Sequence, residues 1–288
     1  MLKLVKNIIL ILIVLAVLSV VSHFIYLNMA YVSTENAQID GHSTMISPKI
    51  SGFITKVNVV PGQMIPKDFV MVEIDKREIQ NSLKQVQSLV DSLTARLADA
   101  QTNHQRAEML YKNGAATKQQ YDTNLTNYLD FKAQYESAVS QLSQAKLNLE
   151  YIEIKAPNDG IVAKTSAEEG QFASVGVPLI GFVGSKRRWV TANFKETEIN
   201  DIQIGEKAEV SVDAFPGKKF MGQVQSFSSA TGASFTLLPP DNATGNFTKI
   251  VQRVPVRIEL LNLTQEDIVS LKIGLSVVVK IKNIHSRF

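Results

Sequence analysis

The chain has 288 residues, of which 45% are hydrophobic and 20% are charged, a composition typical of folded protein and sufficient for two or three modest domains. Its formal net charge is only +3 and the charges are scattered, which excludes the dense basic surface of a nucleic-acid-binding protein. The absence of cysteine excludes disulfides, thiolate nucleophiles and cysteine-ligated zinc.

The first segment has the character of a membrane anchor. Lys3 and Lys6 precede an apolar run from Ile8 to Leu27, and roughly 20 such residues are needed to cross a bilayer as a helix. Residues 7–27 are therefore predicted to span the inner membrane, after a cytoplasmic stub of residues 1–6. A cleaved secretory signal is the alternative, but the run exceeds a usual signal core and no small-residue cleavage site follows it. The lysines predict a cytoplasmic N-terminus, which places the bulk of the chain in the periplasm.

Two short stretches, 108 positions apart, repeat one pattern. GFITKVNVVPGQ begins at Gly52 and GIVAKTSAEEGQ begins at Gly160, and a glycine, a lysine, a second glycine and a glutamine coincide. Each copy alternates apolar and polar residues in short strands, and each is too short to bury a face alone. Residues 47–75 and 153–185 are therefore predicted to pair into one small β-sandwich.

Between the two copies, residues 76–152 carry a helical pattern. From Lys76 to Lys112 there is no proline or glycine, and apolar residues recur at alternating steps of three and four, the period of a coiled-coil seam. A second such run, from Thr117 to Lys155, carries the heptad series Tyr121, Tyr128, Tyr135, Leu142 and Leu149. Because a short turn containing Gly114 joins two runs of matched length, they are predicted to form an antiparallel helical hairpin inserted at a turn of the sandwich.

Two features of these helices leave alternatives open. Their outer surfaces are rich in Gln, Ser and Asn, which fits either a solvated surface or one that packs against further copies of the chain, since uncharged side chains avoid the cost of burying charge. His104 falls at a seam position. A packed or rim histidine is favoured there over a metal ligand, because the chain has only three other histidines.

After Gly184 the sequence returns to short alternating strands, which predict a small all-β barrel. Residues 28–46 alternate in the same way and are predicted to join residues 186–288 in this barrel. The predicted fold class is α+β and multidomain, with a transmembrane helix, a split sandwich, a helical hairpin and a membrane-proximal barrel. The segment from Ser234 to Thr248 is an exception, because Pro239-Pro240 forbids regular strand pairing.

The sequence carries no nucleophile elbow, Walker loop, zinc-ligand spacing or dinucleotide-binding glycine motif, so it predicts no catalytic residue, no metal site and no cofactor. The enzymatic alternative is a swinging-arm carrier domain, since Asp75-Lys76 at the end of the first copy is similar to the turn that bears a modified lysine. Lys76 opens a long predicted helix instead of projecting from a hairpin tip, which disfavours this alternative. An intact-mass measurement would reveal a lipoyl or biotinyl adduct on Lys76.

Several motifs resemble the periplasmic adaptor (membrane fusion) proteins of the HlyD/EmrA type. The two half-motifs are similar to the split lipoyl-like domain of that family, and WVTANFKETEINDIQIGEKAEV, from Trp189, is similar to the segment that opens its barrel. FTLLPPDNATGNFTKIVQRVPVRIEL, from Phe235, resembles the signature of the EmrA branch.

The resemblance implies a non-enzymatic adaptor of a tripartite multidrug efflux pump in a Gram-negative bacterium. Such an adaptor links an inner-membrane transporter, here of the major facilitator type, to a TolC-like outer-membrane channel, and it self-associates as a hexamer. Adaptors for an aromatic-acid exporter or for an ABC-type protein secretion system are the alternatives.

The resemblance also assigns a role to residues at the hairpin tip, and the irregular barrel segment carries a separate hypothesis. Adaptors that dock TolC-like channels carry an Arg at the hairpin tip, a Leu four residues on and a Ser seven beyond; here Arg106, Leu110 and Thr117 occupy that spacing, with Thr in place of Ser. The proline-containing barrel segment is expected to contact the transporter or the substrate, with an ordered covering loop as the alternative. Its candidate contact residues are Phe235, Leu237, Leu238, Pro239, Asn242, Asn246 and Phe247.

Overall fold

The computed structural model describes residues 30–231 and 251–283. The predicted anchor and the barrel segment that carries Pro239 lie outside the described residues. Two units are present: Ser43–Val183, and a second that combines the described residues up to His42 with those from Gly184 onward. In the described part of the chain, no helix combines the length and the hydropathy that a membrane span requires.

The elements follow one another in an order that separates two groups of short strands by two long helices. In chain order they are β1 (Tyr31–Ile46), β2 (Gly52–Val57), β3 (Met64–Ile65), β4 (Val70–Ile74), α1 (Arg77–Lys112), α2 (Lys118–Glu150), β5 (Glu153–Lys155), β6 (Gly160–Thr165), β7 (Phe172–Ala173), β8 (Ile180–Lys195), a 3-10 turn (Ile199–Asp201), β9 (Lys207–Val212), β10 (Lys219–Phe227), β11 (Arg253–Leu260), α3 (Gln265–Ser270) and β12 (Ser276–Lys282).

The Ser43–Val183 unit contains a β-sandwich to which both copies of the repeat contribute. One sheet has the order β5-β4-β2-β7, so strands of the second copy flank strands of the first, and β3 pairs with β6. The sandwich encloses a core that includes Ile54, Met71, Val162 and Phe182, each at most 2% exposed. This confirms the prediction that the two copies form one sandwich.

The copies exchange equivalent backbone hydrogen bonds, as a pseudo-twofold relation requires. The Gly62 amide donates to the Val162 carbonyl at 2.7 Å, and the Gly170 amide at the matching position donates to the Ile54 carbonyl at 2.8 Å. Both glycines have positive φ, +87° and +83°. An L side chain is strained in that region of the φ/ψ map, which accounts for the shared glycine.

The shared glutamine has the same role in each copy. The side-chain oxygen of Gln63 accepts a hydrogen bond from the Val60 amide at 3.1 Å, and that of Gln171 accepts one from the Glu168 amide, also at 3.1 Å. Each glutamine closes its own turn, so the repeated residues are ones that the turn geometry requires.

Helices α1 and α2 run antiparallel and pack along a common seam. Val90 and Leu93 of α1 are buried together with Ala138 and Leu142 of α2. α1 follows β4 and α2 precedes β5, and these two strands pair, so the helices are an insertion at the β4–β5 connection. With 36 residues in α1 and a rise of about 1.5 Å per residue, the helix extends about 54 Å.

The other unit is a closed barrel. Its strands follow the order β1-β12-β9-β10-β11-β8, and a pairing between β1 and β8 closes the ring, so these strands leave no open sheet edge. Inward-facing side chains alternate with exposed ones; the buried set includes Ile39, Val190, Phe194, Val210 and Val279. This confirms the predicted β-barrel.

Candidate functional site: the tip of the helical pair

The residues between α1 and α2 form a compact turn that fixes the end of the helical pair. The Gly114 amide donates to the Tyr111 carbonyl at 3.0 Å, and the Ala115 amide donates to the Leu110 carbonyl at 2.8 Å. Together with the positive φ of Gly114, +73°, these two bonds form a Schellman motif, which satisfies carbonyls that the helix end would otherwise leave unpaired. The turn is therefore a defined structure and holds its neighbours in place.

Thr117 begins α2 as its N-cap residue. Its hydroxyl oxygen accepts a hydrogen bond from the Gln120 amide at 3.3 Å, and the Gln120 side chain accepts one from the Thr117 amide at 3.0 Å. This reciprocal capping box satisfies amides at the helix start. Thr117 thus has a structural role that the sequence did not predict, and a hydroxyl proton remains available for donation to a partner.

A stack of aromatic rings fills the seam below the turn. The rings of Tyr111 and Tyr121 stack at 5.4 Å, and the His104 ring lies 5.5 Å from that of Tyr128 and nearly parallel to it. His104 also contacts the Tyr121 ring at 5.7 Å. The histidine is therefore packed inside the seam, as predicted. Among residues 30–231 and 251–283, no group of three or more potential metal ligands occurs.

Arg106 and Leu110 lie one helical turn apart and share a face of α1. Within the described residues, Arg106 forms no salt bridge, and its Nη1 donates only a long 3.4 Å hydrogen bond to the Asn103 side chain. The neighbouring charges are paired instead: Lys112 Nζ lies 2.7 Å from Glu108 Oε1, and this hydrogen bond lowers the pKa of Glu108 and raises that of Lys112. Arg106 is therefore available to meet a partner.

Two further residues complete an apolar surface at the tip. Met109 is 61% exposed and Tyr111 is 41% exposed, beside Leu110 at 44%. Three consecutive large apolar residues on a helix cannot all face one seam, since successive side chains point about 100° apart. The run of three apolar residues in the sequence could therefore have indicated that Met109 and Tyr111 are partly exposed at the tip. The predicted site did not include these two residues.

The structure brings the predicted tip residues together only in part. Arg106 and Leu110 share one helical face, whereas Thr117 lies beyond the turn and contributes its side chain to the cap. The predicted barrel-loop residues, Phe235, Leu237, Leu238, Pro239, Asn242, Asn246 and Phe247, lie outside the described residues.

Lys76, the residue weighed as a carrier lysine, is the N-cap of α1 and is followed directly by the helix. The Asp75 carboxylate accepts hydrogen bonds from the side chain and the amide of Arg77, which lower the pKa of Asp75 to about 2. Asp75 therefore caps the helix start, and Lys76 does not lie at the tip of a tight β-turn.

Family profiles match most of the described chain. The profile described as "RND MFP, barrel-sandwich hybrid domain" matches residues 42–181, and the one described as "CusB-like, beta-barrel domain" matches residues 188–238. These two matches correspond to the sandwich with its helical insertion and to the first part of the barrel.

The chain is also similar, over most of its length, to two relatives that share one name. The chain is 33% identical to the multidrug export protein EmrA of Haemophilus influenzae, over 86% of this chain and 76% of the relative. It is 30% identical to the colistin resistance protein EmrA of Acinetobacter baumannii, over 88% of each. The solved membrane fusion protein Spr0693 of Streptococcus pneumoniae R6 has a similar fold, with a TM-score of 0.65 at 14% identity, over 88% of this chain and 98% of that structure.

Proposed function

The chain belongs to the EmrA-type membrane fusion protein family, and we propose that it is the periplasmic adaptor of a tripartite multidrug efflux pump. In this proposal it links an inner-membrane transporter of the major facilitator type to a TolC-like outer-membrane channel. Residues 7–27 anchor it in the inner membrane, with the N-terminus in the cytoplasm. The anchor concentrates the adaptor beside its transporter, which favours assembly through contacts that are individually weak.

The observation that carries this proposal is the exposed apolar tip at the end of a long, rigid helical pair. Met109, Leu110 and Tyr111 stand at the far end of a helix about 54 Å long, and a capped turn fixes their position. Exposed apolar side chains beside an arginine that forms no salt bridge are the composition of an interface anchor, since interface hot spots are enriched in aromatic residues and arginine. We assign the docking of the outer-membrane channel to Arg106, Leu110 and Thr117, assisted by Met109 and Tyr111.

The proposal also assigns a domain to each remaining segment of the chain. Residues 47–75 and 153–185 form the lipoyl-like domain, residues 76–152 form the hairpin, and residues 28–46 with 186–288 form the membrane-proximal barrel. The adaptor assembles with further copies of itself, and the family resemblance implies a hexamer.

The barrel segment from Phe235 to Phe247 contacts the transporter or its substrate in this proposal. Deleting residues 238–246 is expected to reduce recovery of the transporter in a pull-down with the tagged adaptor. Undiminished recovery would leave the segment only a covering role.

Substitution at the tip tests the docking role directly. The double variant Arg106→Asp/Leu110→Ser should abolish drug export. It should also reduce recovery of the outer-membrane channel by at least about tenfold, because the loss of an interface anchor costs about 2 kcal/mol of binding free energy. Leu89→Ser/Arg96→Asp is the matched control, since Leu89 is 43% exposed and Leu110 is 44% exposed.

Both variants alter exposed side chains, so helix content and expression should remain unchanged. Export that persists in the tip variant, or that falls equally in the control, would contradict channel docking at the tip. The spectrum of compounds exported by the native protein decides between a drug pump and the aromatic-acid or protein-secretion alternatives.

A further inference from the structure

The end of the barrel at which β1 begins is close in sequence to the proposed membrane anchor. The anchor is assigned to residues 7–27, and Ala30 is already fixed to the barrel, since its carbonyl accepts a hydrogen bond from the Asn283 amide at 2.8 Å. Three residues of extended chain reach at most about 11 Å. The headgroup layer on each side of a bilayer is about 5–8 Å thick, so an anchor that ends at residue 27 places this end of the barrel at the membrane surface.

A loop at this end of the barrel presents one large apolar side chain to solvent. The loop joins the 3-10 turn to β9. Ile204 within it is 65% exposed, whereas Ile202 is 4% exposed and packs into the barrel core. Backbone hydrogen bonds hold the loop against β10: the Gly205 amide donates to the Val224 carbonyl at 2.8 Å, and the Val224 amide donates to the Glu206 carbonyl at 2.9 Å. The loop is therefore fixed in a conformation that keeps Ile204 in solvent.

Two lysines and a tyrosine flank this isoleucine. Lys207 and Lys282 line the same surface depression as Ile204, and Tyr31, which is 45% exposed, pairs with Lys282 across β1 and β12. Within residues 30–231 and 251–283, neither lysine forms a salt bridge. The Glu206 carboxylate in the same depression accepts a hydrogen bond from a backbone amide of the loop at 3.1 Å. We name this surface, formed by residues 203–207 with Tyr31 and Lys282, the barrel rim.

Carboxylates of the adjoining segments are paired with other lysines. Glu198 Oε1 lies 3.2 Å from Lys195 Nζ, and Glu209 Oε1 lies 2.7 Å from Lys219 Nζ. An exposed aliphatic residue, a tyrosine and lysines are the side chains that bind a membrane surface. The aliphatic group enters the acyl boundary, the tyrosine lies at the level of the headgroups, and the lysines attract anionic lipids. The composition of the barrel rim therefore fits the surface that the anchor brings against it.

We propose that the barrel rim binds the surface of the inner membrane. Ile204 inserts among the acyl chains beneath the headgroups, and Lys207 and Lys282 bind the phosphates of anionic phospholipids. Tyr31 lies at the level of the headgroups, beside the point at which the anchor leaves the bilayer. The rim is a second attachment, so the barrel is held against the bilayer and cannot turn freely about the anchor. This inference rests on the anchor assigned in the proposed function and adds a lipid-binding surface to it.

A fluorescent label at position 204 tests the contact in the full-length protein, which has no native cysteine. Ile204→Cys is labelled with a bimane dye, and the purified protein is reconstituted, without transporter or channel, into vesicles of phosphatidylethanolamine and phosphatidylglycerol. Lipids that carry bromine on their acyl chains should quench this label. Val60→Cys is the matched control, because Val60 is 64% exposed and lies in the sandwich. Its label should not be quenched.

The two labels distinguish a lipid surface from a protein surface. Quenching at position 204 alone is the expected result. Equal quenching at both positions would overturn the proposal, because it would not be specific to the rim. Absence of quenching at position 204 would also overturn it, and would leave the rim as a surface for the transporter.

Replacing the two lysines in the Ile204→Cys background tests the choice of lipid. An anionic surface favours a nearby lysine about fivefold, so Lys207→Gln/Lys282→Gln should lower the ratio of bound to unbound rims about 25-fold. In vesicles of phosphatidylcholine alone, the variant and its parent should be quenched alike. Lys56→Gln/Lys164→Gln, at exposed matching positions of the two sandwich copies, is the control and should retain the quenching. Equal quenching in the two lysine variants would overturn the assignment to anionic phospholipids.

Failure of this contact is distinguishable from failure of the proposed function. If the chain resists extraction by carbonate but the label at position 204 is not quenched, the rim contact is wrong and the anchored adaptor stands. If carbonate releases the chain, the anchor is wrong and the rim contact is wrong with it. Neither readout requires a transporter or a channel. Quenching at position 204 in a chain whose tip variants still export drugs would refute channel docking and leave the rim contact intact.

Discussion

Replacing Gly160 with alanine should destabilise the sandwich by about 3 kcal/mol. A Cβ at this position would lie 2.4 Å from Phe182 Cζ and 2.5 Å from the Val183 carbonyl oxygen, whereas ordinary contacts begin at roughly 3.5 Å. Phe182 is 1% exposed and the carbonyl belongs to strand backbone, so neither can retreat without loss of packing. At the matching Gly52, the Cβ would meet only the Ile74 Cγ2 methyl, at 2.5 Å, and the expected cost is about 1–2 kcal/mol.

Hydrogen exchange of peptides from β5 and β6 is the suitable assay, because the two units can unfold separately and a single melting curve would mix them. Gly62→Ala is the control: its φ is +87° and no atom lies within 4 Å of the added Cβ, so its cost is the backbone strain alone, about 1 kcal/mol. Equal loss of protection in Gly160→Ala and Gly62→Ala would refute the reasoning. It would show that close packing between the copies is not the reason why position 160 requires glycine.

Two further predictions concern the helix cap at the tip and the acid sensitivity of the barrel. Thr117→Ala should destabilise the first turn of α2 by about 1 kcal/mol and speed exchange of the Gln120 amide, whereas Thr117→Ser should leave that rate unchanged. Hydrogen bonds from Lys218 and Thr264 lower the pKa of Asp267 to about 2, so the stabilisation by this carboxylate is present above about pH 4 and is lost as the pH falls through about 2. Asp267→Asn should remove this component of the acid dependence in circular-dichroism melts; identical acid profiles for the two proteins would contradict it.

The sandwich could be predicted because its information is local and repeated. The glycines and glutamines that recur 108 positions apart are the residues that the turn geometry requires, so their spacing marked two equivalent halves. The sequence could not show that backbone bonds cross between the copies, since any side chain permits a bond such as that from the Gly62 amide to the Val162 carbonyl. Pairing partners depend on tertiary proximity, which alternation does not encode.

The tip was only partly predictable. Leu110 was proposed from family spacing, but Met109 was not; it faces outward because the seam can accept only some members of a consecutive apolar run. Tyr111 stacks on Tyr121 in the seam and remains 41% exposed. The role of Thr117 as a cap was readable, in hindsight, from the Gln three residues later, which is the capping-box signature. The Gln-, Ser- and Asn-rich composition of the outer surfaces was apparent from the sequence, but the hydrogen bonds that their hydroxyls make within each helix required the structure.

Photo-cross-linking at the tip tests the central claim most directly. With p-benzoylphenylalanine in place of Leu110, irradiation of intact cells should yield an adduct between this chain and the outer-membrane channel. The same residue in place of Leu89, a position of matched exposure about a third of the way along α1, should yield none. A channel adduct at position 110 alone is the result that the adaptor account predicts. No adduct at position 110, or equal adducts at both positions, would contradict docking through the helical tip.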